Sequence, residues 1–182
     1  MDNQYNAVRP DNSDRSVMSK PLSYRTEYLA GLTICGLSVA LSRSQSVNAE
    51  TCERFWKNFN QALAANRLGQ GRGWVKYAIT YDAGKAHRYL CGIPADSAVP
   101  EGFQTLLVRA SHYLVFEHRG PTREIASTLS AIYRDFLPTS QHKHERSDIC
   151  HFEKYDHRFR WNHATSLIEI WLPILLPERH FS

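Results

Sequence analysis

Two segments near the C-terminal end each place a carboxylate beside an aromatic ring in an apolar, strand-like sequence. In the first, LIEIWLPI, alternate side chains of a strand face opposite sides, so Glu169 and Trp171 share one face. The second, FEKY, has the same pattern, with Glu153 and Tyr155 on one face. If the two strands are neighbours, we expect both carboxylates and both rings to line one groove.

This combination suits an organic cation with apolar substituents. A cation over an indole ring gains about 2 kcal/mol or more when water is excluded. A partly buried carboxylate adds charge complementarity, and without a counter-ion its pKa is raised. An equally compatible interpretation is that Glu153 and Glu169 lie on solvated strand faces, with Trp171 and Tyr155 as ordinary half-buried rings. The pattern alone leaves both interpretations open.

The composition indicates one folded domain. The chain has 182 residues, of which 42% are hydrophobic and 12% aromatic, which excludes a wholly disordered protein. No apolar run approaches the roughly 20 residues that a membrane helix requires, and residues 1–20 contain no secretory signal, so we expect a cytoplasmic protein. The net charge of +4 is spread along the chain and does not by itself indicate nucleic-acid binding. The four cysteines are far apart, as expected of free thiols.

The first part of the chain predicts a tail, a strand and a helix. Residues 1–23 are polar and are expected to form a disordered tail, with one domain over residues 24–182. Residues 29–41 are strand-like, and Gly36 indicates a bulge or a close backbone approach. An amphipathic helix follows, with its apolar positions at Cys52, Phe55, Trp56, Phe59, Ala62 and Leu63.

The order of the predicted elements repeats. Further strands are predicted over residues 74–81, 87–93, 103–108, 113–117, 149–155 and 167–174, and a second helix over residues 121–136. Strand, helix and strand pair therefore occur twice. Two such β-α-β-β units side by side would leave a cleft between them. We expect an α+β fold with a pseudo-two-fold axis, in which two helices back an antiparallel sheet with a central ligand cleft.

Other motifs are weak. The sequence contains no Gly-x-Ser-x-Gly nucleophile motif, and the glycine-rich residues 69–73 lack the Lys-Ser/Thr ending of a phosphate loop. His142 and His144 could bind a transition metal, but they lie in a polar segment without helical spacing, so surface histidines are favoured. We therefore predict no metal site, no cofactor and no catalytic residue.

Three blocks of the sequence resemble one protein family. Residues 113–121 (YLVFEHRGP), 152–155 and 169–174 are similar to motifs of the GyrI-like family, which includes the effector-binding domains of AraC-type and multidrug-sensing transcription regulators. The resemblance extends over about residues 24–174 and implies a tandem β-α-β-β fold that binds lipophilic cations in a central cleft. No helix-turn-helix sequence precedes the fold, so the chain resembles the stand-alone form found in integron cassettes, and we expect no direct DNA binding.

The resemblance also implies a set of ligand-binding residues. Glu153 and Glu169 match the acidic positions of the drug-binding members. Aromatic walls would come from Trp171, Tyr155, Trp56, Trp74, Tyr81 and Tyr89. The expected partner is a cationic lipophilic small molecule, with no membrane contact, and a separate regulator or a second copy of the chain is the candidate protein partner.

Three functions fit these features. The leading hypothesis is a non-enzymatic binding module for lipophilic organic cations, used in transcription regulation or drug sequestration. The second is a hydrolase of reactive small molecules, with a cleft glutamate as general base and Tyr155 as proton donor. The third is a protein-interaction module, which either inhibits a target such as gyrase or supplies an effector domain to a separate regulator. Its contact surface would be the junction between tail and fold or the last residues, Leu175, Leu176 and Phe181. The sequence favours the first.

Overall fold

The computed structural model describes residues 22–69, 71, 73–84, 86–95, 99–145 and 147–175. Most of the predicted tail lies outside the described residues, as do Leu176 and Phe181. Within the described part of the chain, no helix combines the length and the apolarity needed to cross a membrane.

The described residues form nine strands and two helical segments. The strands are β1 (Tyr24–Leu29), β2 (Leu32–Ala40), β3 (Lys76–Ala83), β4 (Ala86–Pro94), β5 (Gln104–Val108), β6 (Ser111–Arg119), β7 (Lys143–His144), β8 (Ile149–Tyr155) and β9 (Leu167–Leu175). Helix α1 spans Gln45–Ala65. The second helical segment, α2, is a 3₁₀ turn over Thr122–Glu124, followed by α-helical Ile125–Ser130, π-helical Ala131–Phe136 and a last turn over Leu137–Thr139.

The strands form one antiparallel sheet with a symmetric order. That order is β1-β6-β9-β8-β3-β4-β2-β5, and the short β7 pairs with β9. Read from the two ends, β1-β6-β9-β8 matches β5-β2-β4-β3, because each half supplies a strand, a helix and a strand pair in the same sequence. The expected α+β fold with a tandem β-α-β-β repeat is therefore confirmed.

Both faces of the sheet are buried. One face carries the two helices: Phe59 and Leu63 of α1 pack with Ala78 and Ile168, while Ile132 of α2 packs in a second cluster. The opposite face holds a third cluster, formed by Ile34, Tyr77, Ile79, Tyr81, Leu90, Val108, Tyr113, Val115, Ile149, Phe152 and Trp171. Because strands from both ends of the sheet meet in this cluster, the sheet curls around it as a half-barrel. The two faces are called the helix face and the inner face below.

The strand predicted over residues 29–41 corresponds to β2, whereas β1 before it was not predicted as a strand. Gly31 has a φ of 99°, which glycine adopts without strain, and the chain turns there between β1 and β2. Since β1 pairs with β6, and β2 with β4 and β5, the turn sends the two strands toward opposite ends of the sheet. The predicted close approach at Gly36 is confirmed, because a Cβ atom there would lie 2.0 Å from the carbonyl oxygen of Cys91.

Candidate ligand-binding site

A cavity of about 360 Å³ lies between the two helices and the helix face of the sheet. Its floor is formed by side chains of β3, β4 and β8, namely Thr80, Tyr89, His151, Glu153 and Tyr155. Its walls include Cys52, Glu53 and Trp56 of α1, Ile125, Ala126 and Leu129 of α2, and Trp161 and Asn162 from the segment between β8 and β9. The lining is mostly apolar, and the volume falls within the range of about 300–1,000 Å³ typical of small-molecule sites.

Glu153 is a buried carboxylate in the floor of this cavity. Only 5% of its surface is exposed, and the Tyr155 hydroxyl donates a hydrogen bond to its Oε2 atom. Among the described residues it has no ion-pair partner. Burial raises the pKa of Glu153 from 4.5 to about 7, although the hydrogen bond from Tyr155 acts in the opposite direction. The described residues therefore do not supply the counter-charge that an ionised buried acid requires.

Three of the predicted aromatic residues are held in fixed positions around Glu153. Trp56 Nε1 donates a hydrogen bond of 2.9 Å to the hydroxyl of Tyr89. The rings of Trp56 and Tyr155 meet edge to face, with centroids 4.9 Å apart. Phe159 also packs edge to face against Tyr155, at 5.0 Å between ring centroids. These contacts orient the ring faces and edges before any ligand is bound, which reduces the ordering cost of binding.

Two cavity residues were missed in the sequence. His151 was not among the predicted site residues, yet it lies in the cavity floor, where only 8% of it is exposed and its Nδ1 atom lies 2.9 Å from the Tyr133 hydroxyl. Burial lowers the pKa of His151 to about 4, so its ring is neutral at pH 7. Cys52, an apolar position of the predicted helix, packs against the core cluster on the helix face and also lines the cavity wall, where burial raises the pKa of its thiol to about 12. At neutral pH the cavity therefore contains neither an imidazolium ion nor a thiolate from these two residues.

The prediction that Glu153 and Glu169 line one groove is wrong. Their strands are neighbours, but Glu153 is paired with Ile170 and Glu169 with Lys154. Paired residues project from the same face, so Glu169 points away from the cavity, toward the inner face. Trp171 lies on that face as well, in the cluster with Phe152, to which it stacks at 5.4 Å between centroids.

Glu169 is compensated by basic side chains. Its Oε1 atom lies 2.8 Å from Arg25 Nη2 and 3.0 Å from Arg158 Nη2, and its Oε2 atom lies 3.5 Å from Lys154 Nζ. Trp171 Nε1 donates a further hydrogen bond of 3.2 Å to Oε2. Burial raises the pKa of Glu169, but the hydrogen bonds from Arg158 and Arg25 exceed this effect, and the pKa is lowered. Glu169 therefore carries a charge that is already balanced within the fold.

The remaining predicted site residues lie outside the cavity lining. Tyr81 belongs to the cluster on the inner face, and its hydroxyl accepts a hydrogen bond of 3.1 Å from Gln104 Nε2. Trp74 lines a separate, small cavity of about 60 Å³, with Lys76 Nζ 5.5 Å from its ring centroid. Of the eight residues implied by the resemblance, the structure brings together four around the large cavity: Glu153, Tyr155, Trp56 and Tyr89.

The sequence comparison agrees with this geometry. Residues 25–174 match a family described as Cass2, integron-associated effector binding protein. The chain belongs to the Cass2 family. The match runs from β1 to β9 and includes every residue that lines the large cavity. The resemblance inferred from the sequence motifs is thereby confirmed, and no functionally curated protein matches this Cass2 sequence.

Several solved structures share the fold of this Cass2 protein. SAV2435 bound to tetraphenylphosphonium has a TM-score of 0.68 and 19% identity, over 87% of this chain and 98% of that one. An integron cassette protein of Vibrio cholerae has a TM-score of 0.55 and 13% identity, over 84% of this chain and 95% of that one. EcmrR in its complex with DNA has a TM-score of 0.57 and 9% identity, over 84% of this chain but only 57% of the EcmrR chain. At these identities the likeness concerns the fold.

Proposed function

We propose that the chain is a cytoplasmic, non-enzymatic effector-binding module whose ligand is one lipophilic organic cation, held in the cavity between α1 and α2. The observation that carries this proposal is Glu153, a buried carboxylate that has no ion-pair partner among the described residues and faces a mostly apolar cavity. A cation in the cavity would supply the counter-charge that the described part of the chain does not provide.

The rings around Glu153 support the same class of ligand. Trp56, Tyr89 and Tyr155 surround the carboxylate, and a cation beside such rings gains from about 0.5 kcal/mol when exposed to about 2 kcal/mol when desolvated. One uncompensated carboxylate favours a single positive charge. Tetraphenylphosphonium, the compound bound by SAV2435, is a lipophilic monocation of this kind and supports the proposal.

The comparison with EcmrR supports a role in regulation. The chain matches only part of a protein that was solved in complex with DNA. We therefore propose that the ligand-bound module acts on a separate regulator or a second copy of itself, with sequestration of the cation as the other outcome. The protein-interaction hypothesis stays a prediction, because Leu176 and Phe181 lie outside the described residues.

Titration of the full chain with tetraphenylphosphonium, followed by calorimetry at pH 8, tests the proposal. We expect Glu153→Gln to weaken binding at least tenfold, or about 1.4 kcal/mol. The matched control is Glu101→Gln, which changes an exposed glutamate outside the cavity and should leave the affinity unchanged. Triphenylphosphine oxide, a neutral analogue, should bind more weakly and should not distinguish Glu153→Gln from the wild type. Equal affinities of wild type and Glu153→Gln for the cation would overturn the proposal.

A hydrolase is the second candidate, favoured by one observation. Burial raises the pKa of Glu153 to about 7, where a carboxylate can accept a proton from water at neutral pH. Incubation with activated esters and epoxides tests this function. Repeated turnover that is lost in Glu153→Gln would support a hydrolase, whereas binding of one equivalent without product would exclude it for these substrates.

A further inference from the structure

Three side chains with metal-binding atoms meet at the end of the β3–β4 hairpin. Asp82 and His87 are directly opposite each other in the register of these strands, and His87 Nδ1 lies 2.5 Å from Asp82 Oδ1. Cys150 of β8 completes the group, and the three donor atoms all lie within 4.8 Å of one another. Since Asp82 and His87 are exposed and Cys150 is half-buried, a hydrated ion can reach the group from solvent.

Cys150 occupies an irregular position in the ladder between β3 and β8. His151 pairs with Thr80, and the next pair joins Ile149 to Tyr81, so Cys150 has no partner on β3. Such a β-bulge redirects the extra side chain, and bulges are enriched beside functional sites. The bulge brings the thiol of Cys150 to the same end of the sheet as the hairpin ligands.

Hydrogen bonds hold this arrangement in place. The carbonyl oxygen of Cys150 accepts one bond of 3.2 Å from the Tyr133 hydroxyl and one of 3.0 Å from His144 Nε2. The backbone N–H of Asp82 donates a bond of 2.7 Å to the carbonyl of Asp148, which joins the end of β3 to the start of β8. The fold itself therefore positions the backbones of Cys150 and Asp82.

We propose that Asp82, His87 and Cys150 form a site for Zn²⁺. Carboxylate oxygen, imidazole nitrogen and thiolate sulfur are the ligands that Zn²⁺ takes in proteins, at about 2.0–2.3 Å, and three protein ligands leave the fourth tetrahedral position to water. Small rotations of the three side chains would bring their donor atoms to these distances from a central ion. The ion displaces the proton of the Cys150 thiol, which passes to solvent as the metal–sulfur bond forms.

This site lies next to the large cavity but is separate from it. Asp82 is two residues beyond Thr80 on β3, and His87 two residues before Tyr89 on β4, a distance of about 7 Å along each strand. Period-two alternation places all four side chains on the helix face. None of the three ligands lines the large cavity, so the metal site is independent of the proposed binding of cations.

Calorimetric titration of the full chain with Zn²⁺ alone, together with absorption spectra of the Co²⁺-loaded protein, tests the site. We expect one Zn²⁺ per chain at micromolar concentration, and with Co²⁺ the visible bands of tetrahedral coordination and a thiolate-to-metal band in the near ultraviolet. Cys150→Ser should remove the thiolate band. Asp82→Asn and His87→Gln should each weaken Zn²⁺ binding at least tenfold, and as exposed substitutions they should leave the circular dichroism spectrum unchanged.

Matched controls separate this site from adventitious binding, because the chain has nine histidines. His163→Gln and Asp135→Asn change exposed residues outside the group and should leave Zn²⁺ affinity unchanged. The proposal is overturned if Zn²⁺ does not bind at micromolar concentration, if the Co²⁺ spectrum has no thiolate band, or if His87→Gln binds as tightly as His163→Gln.

Discussion

Glu153 and Glu169 lie on adjacent strands and project from opposite faces of the sheet, because Glu153 is paired with Ile170 and Glu169 with Lys154. Both carboxylates are buried, at 5% and 3% exposure, yet their electrostatic surroundings differ. Glu169 is neutralised by Arg25 and Arg158, whereas the one partner that the described residues offer the Glu153 carboxylate is the hydroxyl of Tyr155. We therefore expect the loss of charge at these two positions to change the stability of the protein in opposite directions.

We expect Glu153→Gln to stabilise the ligand-free protein at pH 8. The pKa of Glu153 is raised from 4.5 to about 7, so between these values the folded state holds more protons than the unfolded state, and the free energy of unfolding falls as pH rises. Because glutamine does not ionise, the variant avoids this fall in the free energy of unfolding. Its side-chain oxygen can still accept the hydrogen bond from Tyr155. The gain should be on the order of 3 kcal/mol at pH 8 and should vanish near pH 4.

Urea unfolding at both pH values measures this difference. Glu101→Gln, on an exposed loop, is the control and should have no effect at either pH. A Glu153→Gln variant that is less stable than the wild type at pH 8 would show that another group of the protein stabilises the ionised carboxylate.

Glu169→Gln should have the opposite effect on stability. The substitution leaves Arg25 and Arg158 without their shared partner, and because both arginines remain partly exposed we expect a loss of about 1–3 kcal/mol rather than the larger cost of a fully buried pair. The lowered pKa of Glu169 implies that its contribution is present above pH 4.5 and is lost as pH falls through the folded-state pKa. The affinity for tetraphenylphosphonium should remain within about twofold of the wild type, since a twofold change is only about 0.4 kcal/mol.

Glu117→Gln is the matched control for this variant. Glu117 is directly opposite Glu169 on β6 and pairs with Arg119, which is 65% exposed, so its removal should cost less than about 1 kcal/mol. If Glu169→Gln loses cation binding without any loss of stability, Glu169 contacts the ligand, and the conclusion that it lies outside the binding site is wrong.

The sequence predicted which side chains of one strand share a face, but not which faces of two neighbouring strands coincide. Alternation correctly placed Glu153 with Tyr155, and Glu169 with Trp171. Whether two such pairs meet depends on the pairing register, and a shift of one residue moves every side chain of a strand to the other face. β8 and β9 also pair with β3 and β6, which are distant from them in the sequence, so alternation within one strand does not reveal the register.

Other parts of the site differed in how far the sequence could indicate them. His151 alternates with Glu153 and Tyr155, so the same period-two rule would have placed it on the cavity floor. The bulge at Cys150 has no comparable signal in the sequence, and the side chains that bind its carbonyl group, Tyr133 and His144, lie outside β8. The position of Trp161 likewise follows from the tertiary path of the segment between β8 and β9.

Tryptophan fluorescence should report binding through Trp56 and not through Trp171. Trp56 lines the large cavity, whereas Trp171 lies on the inner face of the sheet. We expect Trp171→Phe to keep the change in emission that tetraphenylphosphonium causes, and Trp56→Phe to lose most of it, with the remainder due to Trp161. Trp56→Phe should also weaken binding about threefold or more, because a phenyl ring attracts a cation less strongly than an indole ring and because the hydrogen bond to Tyr89 is lost. An emission change that survives in Trp56→Phe and disappears in Trp171→Phe would place the ligand on the inner face.

The affinity for tetraphenylphosphonium should rise with pH. Because burial raises the pKa of Glu153 to about 7, its carboxyl group is largely protonated at pH 6 and largely ionised at pH 8, and only the ionised form attracts the cation. For a single group with this pKa the ionised fraction changes about tenfold across that interval, and we expect the same change in affinity. Calorimetry in buffers with different ionisation enthalpies should show that a proton is released on binding near pH 7, and Glu153→Gln should bind weakly with no dependence on pH. An affinity of the wild type that is constant from pH 6 to pH 8, with heats that do not vary between buffers, would show that the carboxyl group of Glu153 does not change its charge when the cation binds.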